Sequence, residues 1–190
     1  MPWCAAAEQT VRACATPGKM AAMVTVRATR KLLQRLGSTN PAEDHASTSL
    51  LGDWYATLLP WRPRQVALLV SERTLLPLLM PLAPARTLLD RFPDQLATLL
   101  DAHRVPSTVT AAEVAATQTT RLATTANRSV IGSMNEFAFL AEAHRAEQLD
   151  PDLLQLSLTL SRTPCSPLYH RHISPDRELA ALLGQGEQAT

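Results

Sequence analysis

The sequence predicts an α+β fold: a small, mostly antiparallel sheet packed by several helices within a single domain. Three observations carry this prediction. Strand-like runs cluster between Trp54 and Pro81 and are separated by short turn signals. Leucines at helical spacing dominate the chain after residue 85. A length of 190 residues with 46% apolar side chains supports one core, and no linker divides the chain in two.

The elements follow in order. Residues 1–22 lack periodicity and read as a flexible N-terminal extension, with Met20 and Met23 as alternative starts. The domain then spans 23–184, and 185–190 form a frayed tail. Val24-Thr25-Val26 alternates as a short strand. A helix follows from about Thr29, with Leu32, Leu33 and Leu36 on one face and Gly37 as its stop. Ser38 to Ser49 is rich in polar and turn-forming residues and reads as an exposed loop.

Three strands, Trp54 to Trp61, Gln65 to Val70 and Leu75 to Met80, form a β-meander with Arg62-Pro63-Arg64 as its first turn. Val66 to Val70 is apolar at consecutive positions, which predicts cover on both faces and a central place in the sheet. Leu88, Leu89, Phe92, Leu96, Leu99 and Leu100 mark a helix that Pro93 must either begin anew or kink. Thr110 to Glu113 has the spacing of a capping box ahead of a short Ala-rich helix. A late strand, Arg121 to Ala126, runs into the segment 127–136 and a helix carrying Phe137, Leu140, Ala141 and His144. Asp150 to Ser161 reads as helix, Thr163 to Pro167 as a proline turn, and Pro175 to Leu183 as a last helix.

Composition removes several classes of function. With 18 basic and 17 acidic side chains the net charge is +1, so no global field draws the protein to nucleic acid or to an anionic membrane. The apolar region Val66 to Ala83 is broken by Ser71, Glu72, Arg73, Pro77 and Pro81, so it reads as core and not as a membrane span. Cys4, Cys14 and Cys165 are odd in number and lack a C-x-x-C pair, which fits free thiols in a reducing compartment. The N-terminus lacks the pattern of a secretory signal, and a cytoplasmic location follows. The alanine, leucine, arginine and proline excess points to a GC-rich bacterial source.

The most distinctive segment is Asn127-Arg-Ser-Val-Ile-Gly-Ser-Met-Asn135, a polar cluster at a strand-to-helix corner. Asn127, Arg128, Ser129, Ser133 and Asn135 are the candidate ligand-binding residues, since helix-end amides and a guanidinium suit an anion. The same residues fit a purely structural role: Asn127 or Ser133 caps the helix, and Glu136 closes a capping box with Ser133. The segment is no P-loop, for it lacks that motif's lysine. Trp54, Arg62 and Arg64 form a weaker candidate face for single-stranded nucleic acid. Trp54 and Trp61 have opposite parity, however, and should point to opposite faces.

His170, His172 and Cys165 have the ligand types of a zinc site but no second ligand pair, so no metal is expected. No cofactor motif and no nucleophile elbow is present. Asp53 and Glu72, each at a strand end, are the carboxylates available to a catalytic role.

Thr25 to Leu36, the Asp53-Trp54-Tyr55-Ala56-Thr57-Leu58-Leu59 string, Val66 to Leu76 and the N-R-S-V-x-G-S-M-N string together resemble a family of small, uncharacterised bacterial proteins, a domain of unknown function. The resemblance spans Met23 to Arg145 and extends to Thr163-Pro-Cys-Ser-Pro-Leu168. It implies a compact cytoplasmic α+β unit and carries no activity with it. The extra N-terminal residues and the polar insert at Ser38 to Ser49 depart from the family pattern.

Three functional readings follow. The first is a non-enzymatic binding or regulatory accessory factor, its anionic ligand or protein partner meeting the 127–135 corner. The second is a small enzyme acting on a phosphorylated or nucleotide substrate, with Arg128 as phosphate clamp and Asp53 or Glu72 as base, which requires them to lie together in a pocket. The third is an oligomer or partner subunit acting through an exposed leucine patch on Leu88 to Leu100 or Leu153 to Leu160.

Overall fold

A computed structural model describes residues 23–37, 47, 49–148 and 150–187. The expected N-terminal extension, most of the Ser38 to Ser49 loop and the end of the tail lie outside these residues. Strand β1 (Val24–Ala28) leads into helix α1 (Arg30–Leu36), which buries Leu32 and stops where Gly37, at φ 73°, donates its N–H to Leu33 O. Only a residue tolerant of the left-handed region closes a helix this way, so the glycine stop is as expected.

Strands β2 (Trp54–Leu59), β3 (Val66–Ser71) and β4 (Pro77–Pro81) form the expected meander, antiparallel throughout. The order across the five-stranded sheet is β4-β3-β2-β1-β5, with β5 at Thr120–Thr124. Here the expectation of a mostly antiparallel sheet is corrected, because β1 pairs parallel with both β2 and β5. The cause is connectivity: α1 carries the chain from β1 to β2, and two helices precede β5, and such crossovers deliver parallel neighbours. The middle strand is therefore β2 and not β3. All six residues of β3 are nevertheless buried, as its unbroken apolar run requires.

Helices cover both faces. Helices α2 (Leu88–Ala102), α3 (Ser107–Thr117) and α6 (Pro175–Glu187) lie with α1 on one side. There Leu32, Phe92, Leu96, Leu99 and Leu179 pack on Val24, Val26, Trp54 and Leu69, and Phe92 meets Trp54 edge to face at 5.2 Å. Helices α4 (Arg128–Glu147) and α5 (Leu153–Ser161) cover the other side. Their Met134, Phe137, Ala141, Leu156 and Leu160 pack on Tyr55, Leu68, Val70 and Leu79. Pro93 sits inside an uninterrupted α2 and is buried.

The leucines of the third reading are core residues: Leu88, Leu96, Leu99, Leu100, Leu156 and Leu160 are all at most 5% exposed, which removes the expected surface patch. The capping box at Thr110 to Glu113 is also corrected. Helix α3 begins one turn earlier, after Pro106, and Glu113 is a buried interior residue. Its carboxylate accepts from Ser49 Oγ at 2.6 Å, Leu50 N at 2.6 Å and Leu51 N at 3.3 Å, so the acid anchors the approach to β2. Ser49 is itself buried, unlike the exposed loop expected there. On the far side, Ser157 of α5 accepts the N–H of Leu79 at 2.9 Å, locking α5 to β4.

Candidate functional site at the head and outer face of α4

Helix α4 starts at Arg128, so most of the predicted corner is helix. Asn127 is its N-cap: Oδ1 accepts from Ser129 N at 3.0 Å and from Val130 N at 3.5 Å. These bonds satisfy amides that the helix start leaves unpaired. Ser133 lies more than one turn inside α4, 3% exposed, so neither it nor Glu136 forms a capping box.

The head of α4 is tied to the sheet through two residues distant in sequence. Asn127 N–H donates to Tyr55 Oη at 3.1 Å, and Tyr55 Oη donates to Glu72 Oε1 at 3.4 Å. Asn127 Nδ2 also donates to Glu72 Oε1, at 3.3 Å. Tyr55 comes from the start of β2 and Glu72 follows the end of β3, so antiparallel pairing brings both to the same end of the sheet. Burial pushes the Tyr55 phenol above its ordinary value, partly opposed by the N–H of Asn127. Asp53, two residues before Tyr55, pairs with Arg27 at 2.8 Å.

Of the five predicted ligand residues, only Asn127, Arg128 and Ser129 share the helix start. Asn135 lies about 10 Å further along, two turns on from Arg128. The turn geometry gives a different grouping. Arg128, Gly132, Asn135 and Phe139 fall on one exposed stripe of α4, opposite the buried face of Val130, Met134 and Phe137. Phe139 is 74% exposed, and a Cβ built on Gly132 would meet nothing within 4 Å. Arg128 makes no ion pair among the described residues. Phe139 was missed because it follows Phe137 closely and reads as part of the same apolar helix; only the phase of the helix separates the two.

The nucleic-acid face does not assemble. Trp54 is fully buried against Phe92 and cannot stack on a base, while Trp61 points to the opposite side of the sheet, as parity requires. Arg62 and Arg64 instead rim a cleft of about 440 Å³ with Arg145, whose guanidinium lies 5.7 Å from the Trp61 ring centre. Asp150 and Asp152 line the same cleft and offset these cations.

The histidine pair is likewise divided. His172 Nδ1 lies 2.7 Å from buried Glu178, which also pairs with Arg171, whereas His170 is exposed. Burial raises the Cys165 thiol to about 12, leaving it a poor ligand and nucleophile at neutral pH. No group of three metal-ligating side chains occurs among the described residues. No described helix is long and apolar enough to cross a membrane.

Fold and site together define an α+β protein with a mixed five-stranded sheet and a helix-borne polar and aromatic surface. The chain belongs to the family described as Domain of unknown function (DUF6933), whose model matches residues 25–178. That match runs past Arg145 through α5 and into α6. Comparison with curated proteins and with solved structures returns no significant match.

Proposed function

We propose that this protein is a non-enzymatic binding or regulatory factor whose partner docks on the exposed stripe of α4. The observation that carries the reading is Phe139. A large aromatic side chain 74% exposed, on a helix whose opposite face is core, lies outside the core, and aromatic and arginine side chains are the anchors that interfaces favour. Arg128 and Asn135 add polar recognition on the same stripe. Gly132 lets a partner approach the helix backbone closely.

The test places a photo-crosslinking amino acid at position 139 and, as control, at exposed Thr98 on the other face. One adduct of defined mass is expected from position 139 in the source cell, absent from position 98 and lost when Arg128→Ala is added. Equal labelling at both positions, or none at 139, rejects the reading.

One observation favours the alternative, a small enzyme acting on a phosphorylated or nucleotide substrate. Glu72, the candidate base, hydrogen-bonds to the residue preceding Arg128. A thermal-shift screen against phosphate and nucleotides separates the two: stabilisation lost in both Arg128→Ala and Glu72→Gln supports the enzyme reading.

A further inference from the structure

A cleft of about 620 Å³ opens on the face of the sheet opposite α4, between the α2–α3 turn and α6. Val109, Leu179, Leu182 and Leu183 line it together with the polar side chains of His103, Arg104 and Asp176. Size and lining both suit a small organic ligand.

Two features of this lining are not required by the fold. Arg104 closes α2 in the left-handed region, at φ 59°. Its N–H donates to Asp101 O and that of Val105 to Leu100 O, the paired closure in which glycine is strongly favoured. An arginine here is a residue with a side chain where the backbone prefers none, and that side chain lines the cleft. Next to it, His103 Nε2 is buried and has no hydrogen-bond partner among the described residues.

The two charges that line the cleft differ in how they are engaged. Asp176 Oδ1 is engaged by the Ser174 hydroxyl and by Arg177 N, at the start of α6. Arg104 makes no ion pair among the described residues, and charges of both signs act on His103, Asp176 ahead of Arg162.

We propose that this cleft is a binding site for a small amphipathic acid, its apolar body along Leu179, Leu182 and Leu183 and its carboxylate against Arg104. The site is separate from the α4 stripe and does not depend on that surface having a partner.

The test measures binding of decanoate, below its micellar range, against decanol and decylamine, by displacement of 8-anilinonaphthalene-1-sulfonate from the full chain. Decanoate is expected to bind in preference to both. In R104G that preference falls on the order of tenfold, as loss of a charge-assisted hydrogen bond predicts, while Tm holds or rises because glycine suits the left-handed cap. L183W, which fills the cleft, abolishes binding of all three with circular dichroism unchanged. Equal binding of decanol, preference for decylamine, no binding of any, or R104G binding decanoate like the wild type overturns the proposal.

Discussion

Tyr55 is the residue on which the site turns. Its ring is 1% exposed in the core between α4 and the sheet, yet its hydroxyl reaches both Asn127 N and Glu72. Tyr55→Phe keeps the ring and leaves the Asn127 N–H without its acceptor. We expect a loss of about 1–2 kcal/mol in urea unfolding, the cost of one partly buried unpaired donor. The bond at 3.1 Å accounts for most of this, and the one at 3.4 Å for little. The meeting of these three residues was not legible in the sequence. Asn127 was recognised as a cap because capping is local, but Tyr55 lies 72 residues away and Glu72 lies 55 away, and pairing over such separations leaves no trace in spacing. Of the three cysteines expected as free thiols, Cys165 is free and buried, while Cys4 and Cys14 lie outside the described residues.

At the scale of elements, local signals were read well where they acted alone and badly where a distant group competed for them. Gly37 ends α1 and Asn127 begins α4 as their types dictate. Glu113 has capping-box spacing, but three groups from the segment before β2 take its carboxylate instead. This difference has a measurable size. Asn127→Ala should destabilise by about 1 kcal/mol, the usual cost of a lost N-cap. Glu113→Ala should cost about 2–3 kcal/mol, because it strands a buried hydroxyl and the Leu50 N–H together, while Leu51 N keeps Ser49 Oγ. Chemical denaturation of the two variants checks the ranking, and an Asn127 effect equal to or above that of Glu113 contradicts it. The meander was legible because its strands are joined by short turns. The parallel pairings of β1 and β5 were not, since their partners come from across helical connections.

For the molecule as a whole, both core layers were foreshadowed by the unbroken apolar run of β3, although no sequence signal assigned particular helices to either face. The pH dependence of stability belongs at this scale. Burial lowers the His103 pKa from its ordinary 6.5, with nearby Asp176 opposing and Arg162 reinforcing. The unfolded chain therefore binds this proton more readily than the folded one. Stability from His103 is complete above 6.5 and is lost as pH falls below it, toward the lower folded value. Tyr55 acts at the other end: its raised phenol favours the folded state below 10 and loses that contribution as pH rises beyond it. Tm should therefore decline between pH 7 and 5, and His103→Gln should flatten the decline. A slope unchanged in the variant assigns the acid sensitivity to other groups.

The bond from Leu79 to Ser157 has a consequence beyond holding α5. Strand β4 is an outer strand of the sheet, and the residues paired in register with Val66, Leu68 and Val70 are Pro81, Leu79 and Pro77. The bonds from Leu82 N to Gln65 O and from Ser71 N to Leu76 O set the alternation, so these three positions face away from β3. Two are prolines without an N–H, and the third spends its N–H on Ser157. No donor at these three positions is left to template a foreign strand, and only carbonyls remain, so sheet-to-sheet pairing is disfavoured there. Intermolecular extension of the sheet is thereby directed toward the opposite margin, at β5.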